Sequence, residues 1–324
     1  MPWDAGVRRR LKLRDLEMLL AVAQWGSMAK AAIHLSVSQP AVSRAIADME
    51  HALGVKLLDR LPQGVEPTLY GRALLKSAVA VFDDMRQGVA EIDFLADPTS
   101  GELHIGATEP MIAGLLPAVL DRLCSRYPRF TFYVTQAAGI AHLQRELRER
   151  NIDVLLGRVA SQDAHDDLAI EVLFDEPSFV VAGANNRWVR SRKLKLAELA
   201  GEPWTLPRSD TVVGAYVREM FQVNGLEPPR TAVICNSVQM HNALLATGRF
   251  LSLFSRSMLQ FGANHMSVKT LPVELPRQPL PIGFVTLKGR TITPVAQRFI
   301  DCVREVARPL ASGQGSPRPG TTRR

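Results

Sequence analysis

The chain has 324 residues, 46% hydrophobic and 22% charged, and its 39 Lys and Arg against 32 Asp and Glu give a formal net charge of +7. That length can bury more than one core, and the composition is that of an ordinary globular protein. No apolar stretch reaches the roughly 20 residues of a membrane span, so no membrane partner is expected. The positive balance favours polyanions without choosing one, because ribosomal, membrane-surface and enzyme chains share it.

Met1 to Leu13 carries Arg8, Arg9, Arg10 and Lys12 but no long apolar core ahead of a small-residue cleavage site. This reads against a signal peptide and for the cytoplasm. From there to about residue 67 the chain reads as short helices broken by polar turns. Leu16, Leu19, Leu20 and Ala23 form one apolar stripe, and Ala29, Ala32, Ile33 and Leu35 a second. Ala41, Val42, Ala45, Ile46, Met49 and Leu53 form a third, with Gly54 as its stop.

The segment from Gly26 to Ile46 is the most informative. Ser27 is a natural N-cap for a short helix through Leu35. Ser36-Val37 makes a tight turn with Val37 packing inward. Ser38 then caps a second helix, and Pro40 sits in its first turn, where a missing N–H is harmless. Ala41, Val42, Ala45, Ile46 and Met49 give this helix an apolar side, while Ser38, Gln39, Ser43 and Arg44 show a polar side near its N-terminus. A helix that reads the major groove needs that division. Gln39 can pair with adenine, Arg44 with guanine or a phosphate, and Ser27 and Ser38 with phosphates. Two short helices of an all-α domain without a partner are the alternative, but caps, turn and polar face in register point to double-stranded DNA.

Three strings, Ser38-Gln39-Pro40-Ala41-Val42-Ser43-Arg44, Leu53 through Arg60, and Pro67-Thr68-Leu69-Tyr70-Gly71, resemble the N-terminal signature of LysR-type transcriptional regulators. The resemblance covers nearly the full chain, in motif at the N-terminus and in layout beyond. It implies an α/β protein with a winged helix-turn-helix, a long linker helix and a two-lobed, periplasmic-binding-protein-like effector domain. The DNA-contacting set it implies is Ser27, Ser36, Ser38, Gln39, Pro40, Ser43 and Arg44, with Arg60 and Thr68 from the wing. Two departures stand out. Met28 occupies a position that usually holds an aromatic or larger aliphatic residue, and the wing, Leu61 to Glu66, lacks basic residues, with Glu66 set to repel a phosphate.

From Thr68 to Ala96, Leu75, Ala78, Phe82, Met85, Val89, Ile92 and Ala96 alternate steps of three and four. This heptad seam can be the buried face of one long core helix or, with few apolar elements nearby to cover it, a dimerisation surface. The resemblance implies a homodimer or homotetramer. Asp97-Pro98-Thr99-Ser100-Gly101 breaks the helix. The divisions are therefore 1–67 for the DNA-binding domain, 68–97 for the linker, 98–308 for the effector domain and 309–324 for a disordered tail.

Beyond Gly101, short strand-like runs (103–105, 130–135, 154–156, 179–182, 232–234, 250–254, 281–286) alternate with helical stretches, predicting βαβ units and parallel sheets. Lobe I would use about 101–158 and 281–308, and lobe II about 167–271, with crossovers near 158–167 and 271–280. Such sheets place ligand groups at strand ends beside helix N-termini. The candidates are Thr108 after the first strand, Arg208 and Ser209 before the helix at Val213, and Ser237 and Gln239, with Asn236, before the helix at Val238. Arg208 would pair a carboxylate; plain capping and surface charge are the alternatives. The segments Gly157-Arg158 and Leu206 to Ser209 resemble regulators of sugar or aromatic-acid use, implying an organic or aromatic acid or sugar-related effector.

An α/β enzyme with a DNA-binding appendage, or an exported solute-binding protein, would need other signals. There is no GxSxG elbow, P-loop, GxGxxG after a strand, HExxH or EF-hand, so no catalytic residue or cofactor is expected. His34, His51, His142, His241 and His265 read as scattered surface or edge residues, not metal ligands. Cys124, Cys235 and Cys302 have no CxxC spacing, and Cys124 and Cys302 read as small core residues.

Overall fold

Three helices, α1 (Leu13–Trp25), α2 (Met28–His34) and α3 (Gln39–Leu53), open the chain. The computed structural model describes residues 11–137, 139–159, 165–262, 267–276 and 281–311. The chain divides into two compact units between Val89 and Ala90. The basic residues Arg8 to Arg10 and the imidazole of His265 lie outside the described residues.

Glycine ends two of the helices as expected: Gly26 (φ 61°) follows α1 and Gly54 (φ 66°) follows α3, both left-handed. The buried face of α3 is Val42, Ala45, Ile46 and Met49, in line with the third apolar stripe. The other two stripes turn differently. Helix α1 buries Met18, Leu19, Ala21 and Val22, leaving Leu16 and Leu20 half-buried. In α2, Ala31 and Ala32 are inside, whereas Ile33 is 80% exposed and Ala29 is also exposed. Two turns of helix squeezed between neighbours use small side chains for close approach, and the large one is left outside.

The wing is an antiparallel ribbon of β1 (Leu58–Leu61) and β2 (Gly64–Pro67) joined through Pro62-Gln63. Gly64 ties it down: φ is 142°, and a Cβ there would lie 2.4 Å from the Gly26 carbonyl oxygen. Helix α4 (Leu69–Ala96) follows. It packs so tightly at its start that a Cβ on Gly71 would lie 2.0 Å from the Leu57 carbonyl oxygen. The heptad seam then divides. Leu74 and Leu75 pack on the helix-turn-helix core and Ala78 is buried, but Met85, Val89 and Ile92 are 51%, 59% and 67% exposed. The first turns of the seam belong to the core in cis and the last are uncovered.

The second unit holds two five-stranded sheets. One has the order β4-β3-β5-β12-β6, from β3 (Ser100–Thr108), β4 (Arg129–Ala137), β5 (Val154–Arg158), β6 (Leu168–Asp175) and β12 (Pro281–Leu287). The other has the order β11-β7-β10-β8-β9, from β7 (Ser178–Gly183), β8 (Trp204–Leu206), β9 (Thr231–Ile234), β10 (Leu251–Ser255) and β11 (Val268–Thr270). Two features differ from the sequence expectation. The sheets are mixed, because β12 runs antiparallel to both β5 and β6, and β7 antiparallel to β10 and β11. In addition, Leu168–Asp175 is not the start of lobe II; it is an edge strand of lobe I. The first passage between lobes therefore falls at Glu176-Pro177.

Around the first sheet lie α5 (Glu109–Ala113), α6 (Leu115–Arg126), α7 (Ile140–Arg148) and α12 (Pro294–Ala311). Pro309 to Ala311, assigned by composition to a tail, form the last turn of α12, and Leu310 is buried. Residues beyond 311 lie outside the described set. The second sheet carries α8 (Leu196–Leu199), α9 (Val212–Val223), α10 (Val238–Ala246) and α11 (Arg256–Phe261). Its core centres on Trp204, edge-on to Phe221, with the Trp204 indole N–H donating to the Leu199 carbonyl at 2.9 Å. Cys302 is buried as expected, but Cys124 is exposed on α6, on the outer side of an amphipathic helix. Among the described residues no helix is long and apolar enough to cross a membrane.

Candidate functional site

The turn between α2 and α3 is set by Ser36, whose φ of 54° is left-handed, and by Val37, which packs on the core and donates its N–H to the Ala32 carbonyl at 2.9 Å. This fixes the direction in which α3 leaves. Ser38, Gln39, Pro40 and Arg44 are then all exposed over the first turns of the helix, while Val42, Ala45, Ile46 and Met49 are buried. Among the described residues the side chains of Ser38, Gln39 and Arg44 have no intramolecular hydrogen-bond or charge partner. Pro40 occupies the first turn, as expected.

Other members of the expected set have structural duties. Ser38 stands at the N-cap of α3, where its carbonyl accepts from Ala41 at 3.0 Å and its hydroxyl makes no capping bond. Ser27 does cap α2, accepting from the Lys30 N–H at 3.5 Å. Ser43 is half-buried and donates to the Met28 sulfur at 3.2 Å. Met28 is thus an acceptor rather than a simple apolar filler, and it draws Ser43 inward. Thr68 is fully engaged: its hydroxyl donates to the Lys56 carbonyl at 2.7 Å and accepts from the Gly71 N–H at 3.0 Å. That makes it the cap of α4.

Arg60 is exposed on the wing, opposite Val65. On the other face of the ribbon Asp59 stands directly opposite Glu66. Two like charges across a strand pair oppose each other and repel phosphates together. The sequence pointed to Glu66 alone; register supplies its neighbour. Behind the wing, Glu50 of α3 accepts from the Lys56 ammonium at 2.7 Å and from the amides of Leu57 at 2.9 Å and Leu58 at 3.3 Å. Burial pushes its carboxyl up, but these donors outweigh that and hold it below its ordinary value.

A cleft of about 540 Å³, counting its open mouth, lies between the lobes, with Glu109 and Pro110 on one side. Thr211, Val213, Asn236, His241, Leu253 and Phe254 are among the residues facing it from the other. The structure brings the expected strand ends together here but changes the residues. Ser237 caps α10, accepting from Met240 at 3.3 Å. The first amide of α10, on Val238, donates to Glu109 Oε1 at 2.9 Å. A carboxylate of lobe I therefore already sits on a helix N-terminus of lobe II, where an effector carboxylate was expected. Gln136 holds the other Glu109 oxygen at 2.5 Å.

Arg208, Ser209 and Gln239 do not line this cleft. The Arg208 guanidinium pairs with Asp210 at 2.9 Å and both are largely exposed. Hydrogen bonding to Asp210 raises the Arg208 pKa and lowers that of Asp210. Thr108 turns toward Gly157, where a Cβ would lie 3.1 Å from its methyl carbon.

His241 is not a surface residue as its sequence context suggested. It is 5% exposed, and one ring nitrogen, Nε2, lies 2.7 Å from the Cys235 carbonyl. A carbonyl only accepts, so Nε2 carries the proton. Burial pushes the ring's pKa down despite this bond, which leaves His241 uncharged at neutral pH. Sequence reasoning also missed Glu109, whose only sign was its place just after a strand.

At the passage between lobes, Glu176 is buried, accepts from the Ser257 N–H at 3.1 Å, and has its carboxyl pushed up by burial. The Arg158 guanidinium is buried nearby, and Arg256 donates to the Leu310 carbonyl.

Two family models cover this arrangement: "Bacterial regulatory helix-turn-helix protein, lysR family" over residues 13–72 and "LysR substrate binding domain" over residues 96–308. Among curated relatives, the HTH-type transcriptional regulator GbpR of Azospirillum brasilense is 26% identical over 92% of this chain and 87% of its own length. PcaQ of Agrobacterium fabrum, also named an HTH-type transcriptional regulator, is 24% identical over 95% and 99%. Among solved structures, full-length CbnR complexed with its target DNA matches with a TM-score of 0.52 at 26% identity, covering 92% of this chain and 100% of that one. The second family model spans more than half of the chain, and the two together cover the helix-turn-helix and the two-lobed α/β unit described above. The chain belongs to the LysR family of DNA-binding transcriptional regulators, proteins that carry an effector-binding domain and are not enzymes.

Proposed function

We propose that this regulator binds an imperfect dyad operator with α3 in the major groove, and that a small metabolite in the cleft between its lobes sets the outcome at the promoter. The observation that carries the first part is the exposed start of α3, where Ser38, Gln39 and Arg44 present hydroxyl, amide and guanidinium groups that have no internal partner among the described residues. Helix-turn-helix modules read base edges with those groups. The second part rests on the cleft and on the buried charges, Arg158 and Glu176, at the passage between lobes.

A single module reads only a few base pairs, and two joined modules gain effective concentration. We place the joint on α4, where Val81, Met85, Val89, Ile92 and Leu95 are exposed apolar side chains at helical spacing. A homodimer covers them, and pairs of dimers make a homotetramer. The protein acts in the cytoplasm, where the operator is.

Selection of bound fragments from random duplex DNA tests the reading. The expected product is a pseudopalindrome with half-sites about 34–36 Å apart, or a multiple of that. Recovery of unrelated fragments with no shared half-site would show that α3 reads no sequence.

A further inference from the structure

Most of the positive charge lies outside the helix-turn-helix. Residues 1–89 hold 12 Lys and Arg against 9 Asp and Glu, a net +3. Lobe II, residues 178–270, holds 11 against 5, a net +6. Lobe I, residues 90–177 and 271–311, holds 13 against 18, a net −5. Solubility alone asks for net charge, not for one sign on one lobe and the opposite sign on the other. Lobe II is more basic than the unit that reads the operator.

The excess collects at the end of the second sheet that lies away from the cleft. Strands β8, β9 and β10 run parallel and lead into the cleft at their carboxyl ends, through Pro207, Asn236 and Phe254. Where they begin, Arg230 stands just before β9 and Arg249 two residues before β10. Because β7 is antiparallel to β10, the turn after it, Arg187–Arg190, emerges on that same side. Hydrogen bonds tie these pieces together. The Asn186 side-chain amide donates to the Gly248 carbonyl at 3.0 Å, and the Arg230 amide to the Ala200 carbonyl at 3.3 Å. Arg192, Lys193 and Lys195 continue the chain from this turn toward α8.

Arg190, Arg192, Lys193, Arg230 and Arg249 are exposed, and none of the five side chains makes an ion pair or hydrogen bond among the described residues. Arg187 pairs with Glu202 and lies over the Trp188 ring at 4.8 Å, and Arg249 lies over Phe250 at 5.6 Å. The carboxylates near them are few: Glu202, Glu227, and Glu198, which accepts from the Lys195 amide at 2.7 Å. No large apolar side chain of residues 184–203 or 247–250 is strongly exposed. A protein partner would need apolar or aromatic anchors at the centre of such a patch. A phosphate backbone needs only cations within reach.

We propose that this end of lobe II is a second DNA-binding surface, which holds phosphates of the duplex flanking the operator without reading its sequence. The surface is separate from α3 and from the cleft. Because the same molecule already holds the operator, the flank binds it intramolecularly, and modest intrinsic affinity is enough.

The test places the selected operator in a short duplex and in one extended by about 50 base pairs on each side, well within the stiff length of DNA. Fluorescence anisotropy over a range of salt concentrations follows binding of the full-length protein. The parent should bind the long duplex about tenfold more tightly, with a salt slope steeper by roughly 2–4, since each neutralised phosphate adds about 0.9. The triple variant Arg190→Ala, Arg192→Ala, Lys193→Ala should lose most of both differences and keep its affinity for the short duplex. Arg190→Lys with Arg192→Lys, which preserves charge, should keep them. Arg230→Ala with Arg249→Ala supplies the test if the triple variant fails to fold. On long duplexes without the operator the triple variant should also show the shallower slope, so failure of α3 to read sequence leaves this test standing. Equal affinity and slope of the parent on both operator duplexes overturns the proposal, as does a length effect that survives both alanine sets. A loss equal on short and long duplexes assigns these cations to the operator contact or to the fold, and overturns it too.

Discussion

Helices α3 and α10 begin with nearly the same words, Ser38-Gln39-Pro40 and Ser237-Val238-Gln239, yet they end in opposite chemical states. At α3 the serine hydroxyl caps nothing and the glutamine side chain points to solvent. At α10 the serine caps Met240 and the first amide is held by Glu109 from the other lobe. A helix N-terminus is a ready site for anions in either case. The first has been left open, as a surface that meets phosphates and bases must be. The second is closed by the chain's own carboxylate. An N-terminal Ser marks where a helix starts; what occupies that end is decided by residues far away in the sequence.

The sharpest way to break this comparison is to strip the open end. Gln39→Ala and Arg44→Ala should each cost about 1–3 kcal/mol in operator binding if they read bases. Because they lie more than one helical turn apart, the pair should lose roughly the sum. Fluorescence anisotropy with the selected operator at one fixed salt concentration measures it. A double variant binding within a few-fold of the parent removes α3 from the recognition surface.

The closed end is tested in stability. Glu109→Ala leaves the Val238 amide without its acceptor and removes a tie between lobes, which should cost about 1–3 kcal/mol. Glu109→Gln keeps an acceptor and should cost less. Thermal unfolding of the full chain compares the two, and equal midpoints for parent and alanine variant would mean that the clasp holds nothing.

The same contrast explains what the sequence made legible. The helix-turn-helix is local: Ser27, Gly26, Gly54 and Pro40 act on residues within four positions, so caps, turn and buried face of α3 are readable from their order. Orientation inside that small core is less readable, because choosing Ala31 and Ala32 over Ile33 depends on how near α1 and α3 come. In the second unit the alternation of strands and helices is visible, but pairing is not. Leu168–Asp175 joins lobe I only because β12, more than 100 residues later, runs antiparallel between it and β5. The cleft is harder still. Glu109 meets Val238 across 129 positions, and Arg208 spends its charge on Asp210, two residues away. Neither fact leaves a pattern in composition or spacing.

The wing offers a smaller effect of the opposite sign. Asp59 and Glu66 face each other across the ribbon, so Glu66→Lys removes a repulsion and adds a cation. If that face approaches the DNA backbone, affinity should rise by roughly twofold to tenfold and the salt slope should steepen by about 1. Titrations over a range of salt concentrations measure both quantities. An unchanged slope would put this face away from the phosphates and leave Arg60, on the other face, as the contacting side.

The smallest expected effect concerns Glu50, which braces α3 against the wing. Its folded carboxyl lies below the ordinary 4.5, since the donors Lys56, Leu57 and Leu58 outweigh the upward push of burial. A depressed folded value means that the unfolded chain takes up the proton first on acidification. The contribution is therefore complete above the unfolded value and disappears as pH falls through the folded one. Hydrogen exchange of the α1–α3 amides in the full-length protein should show protection falling as pH drops below about 4.5, after correction for intrinsic exchange. In Glu50→Gln, which keeps an acceptor but cannot titrate, that fall should be shallower, with protection near neutral pH somewhat lower because the Lys56 ion pair is gone. Identical acid profiles for parent and variant would assign the acid sensitivity of this unit to other carboxylates and leave Glu50 as a neutral brace, outside the electrostatics that set the angle between recognition helix and wing.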